Sequence, residues 1–528
     1  MTGAPFHRYR SFIPAGEWAA FTGALDRPEP RTFRVRAGRA DPPTLVNALE
    51  AQGFRVSPLS GFPGVFRVDE EPFPLSETLE HWLGLFYIQQ AATTLPAPLL
   101  APEPGEAVLD LCAAPGGKAS HLAECMGDTG CLVAVDLSEK RVQALAGNLS
   151  RLTHPAVITV VGDALQLPEF PRFHRVLADV PCSGEGRSRR GEVHEASEGD
   201  LRRLPALQEA LLRKAIRMTV PGGRVLYVTC TLAPEENEAV VDSVLGESER
   251  GPGVSPPVRL IPLTLDLPHA PGLTRFGEQR FAAELAGAVR IHPHQLDSGG
   301  LFLALLERSD GAADSPPGGA AVHSAAMEPG VPGWENGWTV PGPVLPGDAA
   351  SSPLPPALAA LSQELSLGPG ALECPDGRGE EGRSPSPGPL SWIERAGALR
   401  FHRLTRWPLD AWAEVGATRG GRTGGRTRVM TAGLRGAELP RGHGPPRPTG
   451  DLLRFLAPQL RETGLELDED EWIRLLAGAA LPAGDEPSRI LLYRGEPLTT
   501  ARRKGRRLLH DLPPARARWL RQVMERRC

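Results

Sequence analysis

Two cysteines of this chain stand in short motifs of loop-forming residues. Cys182 lies in DVPCSG, residues 179–184, and Cys230 lies in TCT, residues 229–231. Most structural cysteines are small buried residues among core neighbours, and these two are not flanked in that way. A thiolate can add to carbon 6 of a pyrimidine, which makes carbon 5 nucleophilic enough to accept a methyl group. A nearby acid would have to protonate or hydrogen-bond ring nitrogen 3 during this attack, and a base would later take the proton from carbon 5.

A second group of residues suits a nucleoside cofactor. Small residues follow an apolar run in LDLCAAPGGKAS, residues 109–120, where a ligand can approach the backbone and a helix N-terminus. Asp136 comes 20 residues after Gly116, at a place where a carboxylate holds ribose hydroxyls, and Asp163 can bond an adenine amino group. The alternative is a generic turn with acidic N-caps, and these spacings make it the weaker hypothesis. Because this turn lacks the GxGxxG pattern of NAD sites, we expect S-adenosylmethionine.

Alternating strands and helices would position these motifs. Near-continuous apolar strands between helices predict an α/β fold with a doubly wound, mostly parallel sheet. In such sheets the loops at the carboxyl ends of the strands converge on the ligand. We expect strands at 108–111, 131–137, 157–161, 175–180 and 224–229, with an edge strand at 300–306. One helix should begin near residue 118 and another after an N-cap at Ser138, and two more should span 201–218 and 234–245.

Glycine, proline and charge divide the chain into parts. Residues 309–390 hold 14 glycines and 15 prolines, and such a stretch buries too little apolar surface to order itself, apart from a helical pattern at 357–367. The net charge of −5 is the sum of −7 for residues 1–308, −8 for 309–390 and +10 for 391–528. The basic last part indicates a polyanionic partner. We predict an N-terminal segment (1–90), a catalytic domain (91–308), an acidic linker (309–390) and a basic domain (391–528).

Several classes of protein are disfavoured. The seven cysteines form no CxxC pair and are odd in number, which argues against a structural zinc or a disulfide framework and favours a reducing cytoplasm. No run of eighteen apolar residues and no signal-like leader are present, so no membrane association or secretion is expected. His292 and His294 form an HxH pair without cysteine or carboxylate partners nearby, and we expect them to be structural rather than metal-binding.

Three motifs together resemble the signatures of the Nol/Nop/Sun family of RNA cytosine-5 methyltransferases. They are CAAPGGK (112–118), DVPCSG (179–184) and TCTLAPEENE (229–238). The resemblance extends over about residues 25–308, since RTFRV (31–35), GLFYIQQ (84–90) and RIHPHQLDSGGLFLA (290–304) are similar to further family elements. Val180 stands where the family usually has Ala, and Arg36 stands where it often has Asn.

The resemblance implies a Rossmann-like, S-adenosylmethionine-dependent methyltransferase with defined residue roles. Cys230 would be the nucleophile, Cys182 would assist product release, Asp179 would be the acid and Lys118 would lie beside the target base. DNA cytosine-5 enzymes use the Pro-Cys cysteine as nucleophile, so the presence of both thiols favours RNA, and no DNA partner is expected. Arg141 is a weaker candidate. The cofactor would be held by Cys112, Ala113, Ala114, Pro115, Gly116, Gly117, Lys118, Asp136, Asp163 and Asp179.

The basic end resembles the PUA-like RNA-binding region of RsmF-type ribosomal RNA methyltransferases. TAGLRGAEL (431–439) precedes YRGEPLTTARRKGRRLLHDLPPARAR (493–518), and the cluster at 501–507 suits phosphate binding. With an N-terminal RNA-binding segment, this favours 16S ribosomal RNA of the small subunit as substrate. Two alternatives remain: a transfer RNA cytosine-5 methyltransferase, and a non-catalytic ribosome-assembly protein. The complete set Lys118, Asp179, Cys182 and Cys230 favours an enzyme over the latter.

Overall fold

The computed structural model of the chain describes most of its first 309 residues and parts of its last 138. The first part is 6–309, with gaps at 168, 170–172, 191–194 and 249–255. The second comprises 391–395, 398–402, 428–432, 434–438 and 447–526, with gaps at 461–463, 483–489 and 505–506. The predicted linker from residue 310 onward, with the helical pattern at 357–367, lies outside the described residues.

The N-terminal part forms a small antiparallel sheet. Its order is β2-β3-β1-β4, and Phe33, Leu49 and Phe86 are buried in its core. The strands are β1 (Thr32–Val35), β2 (Arg55–Pro58), β3 (Val65–Glu70) and β4 (Phe86–Ile88), and the helices are α1 (Trp18–Leu25), α2 (Pro42–Glu50), α3 (Leu79–Trp82) and α4 (Pro96–Leu100).

A parallel sheet with helices on both faces lies at the centre, which confirms the predicted α/β, Rossmann-like fold. Its five parallel strands run in the order β7-β6-β5-β8-β9. Alternate residues belong to separate buried clusters on the two faces, Leu109 and Val176 on one and Val108 and Leu177 on the other. Both faces are therefore buried, as the continuous apolar runs predicted. The elements are β5 (Ala107–Asp110), α5 (Gly117–Cys125), β6 (Cys131–Asp136), α6 (Glu139–Arg151), β7 (Val157–Val161), β8 (Phe173–Asp179), α7 (Glu198–Met218), β9 (Thr219–Thr229) and α8 (Glu238–Ser248).

Antiparallel strands extend the sheet beyond β9. The predicted strand at 300–306 is β15, which pairs with β9, and β14 and β10 pair with β15 in turn. These strands are β10 (Val258–Ile261), β11 (Ala270–Pro271), β12 (Arg275–Phe276), β13 (Gln279–Arg280), β14 (Val289–Ile291) and β15 (Leu301–Arg308).

Local signals placed most element ends correctly, with one departure near the site. Ser138 caps α6, as predicted, by accepting a hydrogen bond from the backbone of Arg141. The helix expected over 234–245 begins only at Glu238, because residues 234–237 form a turn. In that turn the side chains of Glu236 and Asn237 are buried and bond neighbouring loops, which a helix would direct elsewhere.

Two buried arginines attach the N-terminal sheet to the central domain. Arg34 donates to Ser120 Oγ at 3.0 Å and pairs with Glu124 on α5. Arg36 donates to the Leu152 carbonyl at 3.0 Å and pairs with Asp128. Burial opposes ionisation of Asp128, but Arg36 and His154 lower its pKa to about 2. Arg36, which stands where the family often has Asn, is thus buried and connects the N-terminal sheet to the central domain.

The basic C-terminal part contributes to several sheets. Its strand β18 pairs antiparallel with β7 and forms the far edge of the central sheet. A four-stranded sheet runs β16-β17-β19-β20, and a five-stranded sheet runs β21-β23-β24-β25-β22. The strands are β16 (Ser391–Arg395), β17 (Ala398–His402), β18 (Arg428–Ala432), β19 (Leu434–Glu438), β20 (Arg447–Pro448), β21 (Leu465–Glu466), β22 (Leu481–Pro482), β23 (Ile490–Tyr493), β24 (Glu496–Lys504) and β25 (Arg507–His510), and the helices are α9 (Gly450–Phe455), α10 (Ala457–Leu460), α11 (Glu469–Leu476) and α12 (Pro514–Glu525).

The C-terminal part also packs on the N-terminal segment. Leu79 and Leu83 of the segment join the buried cluster around Trp472, and the ring centroids of Trp82 and Trp519 are 6.0 Å apart. Both ends of the chain therefore share one core and can present one continuous surface. Among the described helices, none has the length and apolar character needed to cross a membrane.

Candidate functional site

The predicted site residues meet at the carboxyl edge of the parallel strands. Asp110 ends β5, Asp136 ends β6 and Asp179 ends β8. Cys230 directly follows β9, the neighbour of β8 in the sheet. Because these strands are adjacent and parallel, residues far apart in sequence face the same crevice.

The loop at 112–118 is braced by backbone contacts. Ala113 N donates to the Val135 carbonyl at 2.8 Å, and Ala114 N donates to Asp136 Oδ2 at 3.3 Å. Arg141, the weaker candidate, donates to the Ala114 carbonyl at 2.7 Å and pairs with Asp136 at 3.2 Å. Asp136 and Arg141 thus hold the loop in place from the side of β6 and α6.

Glycine is required where this loop enters α5. Gly116 has a φ of 111°, and a Cβ there would lie 3.0 Å from the Leu145 side chain. A Cβ on Gly117 would lie 3.1 Å from the ring of Tyr87. The loop therefore packs closely against Leu145 and Tyr87, and at these two glycines only backbone atoms line its surface. Asp163 caps the 3-10 turn after β7, with its Oδ1 accepting from Leu165 N at 3.0 Å.

Asp110 is a site residue that the motif pattern did not single out. Its carboxyl group is 1% exposed, and its Oδ2 atom has no hydrogen-bond partner among the described residues. Burial, with the nearby charge of Asp179, raises its pKa from 3.8 to about 8, although Lys118 acts in the opposite direction. An unpaired buried carboxyl oxygen beside a glycine loop and Asp136 suits a site for a ligand that carries polar groups.

The pH dependence of stability should report the burial of Asp110. Because its pKa is higher in the folded than in the unfolded state, its contribution is most favourable at low pH and is lost as pH rises toward 8. The free energy of unfolding of the wild type should therefore fall, relative to Asp110→Asn, by about 1 kcal/mol per pH unit between roughly pH 5 and 8. Thermal midpoints of both proteins across this range measure the difference. Asp266→Asn, at an exposed site, is the control, and an Asp110→Asn profile parallel to the wild type would contradict the prediction.

The two cysteines of the sequence motifs are in direct contact. Cys182 Sγ lies 3.2 Å from Cys230 Sγ, and the Cys230 backbone N–H donates to Cys182 Sγ at 3.3 Å. The hydrogen bond from the Cys182 thiol lowers the pKa of Cys230, with help from Lys118 and Arg187 against burial. The same bond, together with burial, raises the pKa of Cys182 well above its ordinary value. The two pKa values therefore shift in opposite directions, which favours ionisation of Cys230 over that of Cys182.

A charged pair lies beside the thiols. Lys118 Nζ donates to Asp179 Oδ2 at 2.6 Å. Burial alone would lower the pKa of Lys118, but Asp179 and then Cys230 raise it above its ordinary value. Lys118 thus keeps its proton and supplies the electropositive setting that a reactive thiolate needs.

Buried polar residues outside the sequence-predicted set hold the thiol loops. Glu185 Oε2 accepts from Tyr9 Oη at 2.6 Å and from Thr231 Oγ1 at 3.1 Å, which ties the N-terminal segment to both loops. Asn237 Nδ2 donates to the Thr231 carbonyl at 3.1 Å. The acidic residues of TCTLAPEENE belong to one of the sequence motifs, but the motif assigned them no role. Tyr9 lies outside all of the motifs.

His292 lies in a buried aromatic environment. It is 1% exposed among the rings of Phe12, Phe21 and His294, and burial lowers its pKa to about 3. Within the part of the chain that the structure describes, no group of three or more potential ligands is arranged for a metal ion.

Comparisons with known proteins point to one group of enzymes. A family model described as 16S rRNA methyltransferase RsmB/F matches residues 97–307. The mouse 28S rRNA (cytosine-C(5))-methyltransferase is 32% identical over 342 residues, which are 62% of this chain and 42% of that protein. The tRNA (cytosine(49)-C(5))-methyltransferase of Pyrococcus abyssi is 29% identical over 57% of this chain and 94% of its own length.

One solved structure belongs with these matches. A methyltransferase homologue from Pyrococcus horikoshii is 33% identical, covers 55% of this chain and 90% of its own, and superposes with a TM-score of 0.49. The chain spans less than half the length of several curated relatives that it matches, including the mouse protein.

Proposed function

Since the chain belongs to the Nol/Nop/Sun family of RNA cytosine-5 methyltransferases, we propose that it methylates carbon 5 of cytosine in RNA, with 16S ribosomal RNA as the substrate. The observation that carries this proposal is the contact between Cys182 and Cys230 beside the Lys118–Asp179 pair. A pyrimidine ring needs a thiolate nucleophile, an acid and a group that assists release, and this site has a candidate for each.

The residues present fit S-adenosylmethionine as the cofactor. When bound, it supplies an electrophilic methyl group. The backbone of 112–118 would line its site, Asp136 would hold ribose hydroxyls, and Asp163, which follows β7, would bond an adenine amino group. The unpaired Oδ2 of Asp110 supports this assignment, because a cationic amino group or its water shell would satisfy it.

Cys230 starts the reaction on the cytosine. Its thiolate forms a bond to carbon 6, and the electron pair of the C5–C6 double bond moves into the ring toward nitrogen 3. Carbon 5 thereby gains the nucleophilic character needed to take the methyl group. The hydrogen bond from Cys182 and the charge of Lys118 favour the thiolate before attack.

Lys118 and Asp179 stabilise the ring during this attack. Negative charge develops at nitrogen 3, and Asp179 in its protonated form would donate a hydrogen bond or its proton to that atom. The Lys118 ammonium group, whose Nζ lies 2.6 Å from Asp179 Oδ2, keeps positive charge next to the developing anion. Lys118 therefore serves both the nucleophile and the acid.

Cys182 assists release of the product. After methyl transfer, a base takes the proton from carbon 5, the electron pair of that C–H bond re-forms the C5–C6 double bond, and the C6–S bond breaks so that Cys230 leaves as a thiolate. Cys182, 3.2 Å from that sulfur, is positioned to support this step. Until release is complete, protein and RNA are joined covalently.

The RNA would lie across the two ends of the chain. Arg516, Arg518 and Arg521 on α12 are exposed, and the Arg516 guanidinium lies 6.0 Å from the Trp82 ring of the N-terminal segment. This basic surface suits the phosphate backbone of a large RNA. The name of the matching family model supports 16S RNA, whereas the archaeal relative supports the transfer RNA alternative.

Methyl transfer to purified RNA tests the proposal. Wild-type protein with methyl-labelled S-adenosylmethionine should label 16S RNA or the small subunit, and bisulfite mapping should place the mark on cytosine. Bisulfite mapping of RNA from a strain lacking the protein should show the same cytosine unmodified. Labelling of transfer RNA instead would favour the alternative substrate. Binding of RNA with no methylation of either would support a non-catalytic assembly protein.

A further inference from the structure

Glu236 is a fully buried carboxylate in the turn between β9 and α8. A buried carboxylate is strongly unfavourable unless its oxygens are satisfied. Among the described residues it forms no ion pair with a lysine or arginine. Its oxygens accept three hydrogen bonds from neutral donors: Ser183 N at 2.9 Å, Ser183 Oγ at 2.5 Å and Gln208 Nε2 at 2.8 Å. Hydrogen bonds alone therefore satisfy the oxygens of this buried carboxyl group.

The partners of Glu236 hold both sides of Cys182. Ser183 follows Cys182 in the chain, and its backbone and hydroxyl both donate to Glu236. Gln208, which is also fully buried, donates to Glu236 and to the carbonyl of Pro181, which precedes Cys182, at 2.9 Å. The backbone on each side of the thiol is thus fixed to one buried pair.

The position of Glu236 is itself fixed by the strand that leads to Cys230. Tyr227 Oη, on β9, donates to the Glu236 carbonyl at 2.6 Å. Ser183 Oγ also bonds Thr231 Oγ1, next to Cys230, at 2.8 Å. Glu236 therefore couples the loop of one thiol to the strand of the other.

On these contacts, and resting on the proposed function, we propose that Glu236 is the positioning residue for Cys182. It fixes the turn at 181–183 so that the Cys182 thiol meets Cys230, and its negative charge keeps the proton on Cys182. Glu236 thereby adds to the preference for Cys230 as the attacking thiol and for Cys182 as the thiol that assists release. The pKa of Cys182 is raised by its bond to Cys230, by burial and also by Glu236, in agreement with this role.

Selective alkylation of the free protein tests the role without RNA. With limiting iodoacetamide near neutral pH, Cys230 should react first in the wild type, as peptide mass spectrometry would show. Glu236→Gln keeps the size of the side chain and removes its charge. It should raise the Cys182-to-Cys230 alkylation ratio by about tenfold, the effect of one pKa unit. An unchanged ratio would overturn the proposal.

The neighbouring residue offers a matched control. Glu235 lies in the same turn, but its side chain is 31% exposed and pairs with Arg8. Glu235→Gln makes the same chemical change and should leave the alkylation ratio at the wild-type value. If Glu236→Gln does not fold, Ser183→Ala removes only one donor to Glu236 and should shift the ratio in the same direction by a smaller factor. No shift in that variant would equally contradict the proposal.

A second readout separates this role from general structural damage. With RNA, Glu236→Gln should form the covalent adduct and release it slowly, so that adduct accumulates while substrate affinity is retained. A variant that merely unfolded would lose adduct and binding together. If the wild type neither methylates RNA nor forms an adduct, the proposed function fails, whereas the alkylation ratio still decides the role of Glu236.

Discussion

Cys230→Ala is expected to abolish methyl transfer, with a rate loss of at least about 10³-fold, because it removes the thiolate proposed to form the bond to carbon 6. Carbon 5 of an unactivated cytosine is too weak a nucleophile to attack the methyl donor. Binding of cofactor and RNA should persist, since Cys230 contributes little to the loop at 112–118 or to the basic surface. Labelled methyl transfer and RNA binding, measured side by side, separate these effects.

Cys125→Ala serves as the control for this variant. It makes the same change at a half-buried cysteine on α5, where burial raises the pKa to about 11. This variant should keep wild-type activity. Methylation by Cys230→Ala at a rate near that of the wild type would overturn the assignment of the nucleophile and leave Cys182 as the candidate.

Cys182→Ala is expected to trap the enzyme on its RNA. Cys230 remains able to attack, although loss of the S–H donor 3.2 Å away should raise its pKa and slow that step. Release should slow far more, because the group that supports elimination is missing. A covalent protein–RNA species should accumulate on a denaturing gel, and multiple turnover should fall by at least about tenfold.

The double variant Cys182→Ala with Cys230→Ala is the control for the adduct. It should form none, since the bond to RNA requires Cys230. Normal turnover by Cys182→Ala without a retained adduct would show that release proceeds by another route. Phosphate-backbone contacts should be unaffected in every one of these variants, which makes RNA binding a common reference.

Much of the fold and of the site follows from local sequence patterns. The strand at 157–161 and the N-cap at Ser138 were predicted correctly because burial and capping leave strong local signals. The family assignment from three motifs is confirmed by the comparisons. The catalytic roles of Cys230, Cys182, Asp179 and Lys118 stay predictions that the variants above test.

Other features depended on contacts that no local pattern encodes. The strand β18 belongs to the C-terminal part yet pairs with β7, across a separation of more than 250 residues. The turn at 234–237 replaced the expected first turn of α8, because its side chains found buried partners in distant loops.

The sequence by itself determined the chemistry that is available: two thiols, an acid, a lysine and a glycine loop. Only the tertiary structure decided how these groups act on each other. Sulfur-to-sulfur contact, the unpaired oxygen of Asp110 and the buried charge of Glu236 arise from packing between segments far apart in the chain. Since pKa values depend on burial and on near neighbours in space, the opposite directions in which the pKa values of Cys182 and Cys230 shift could be obtained only from the folded chain.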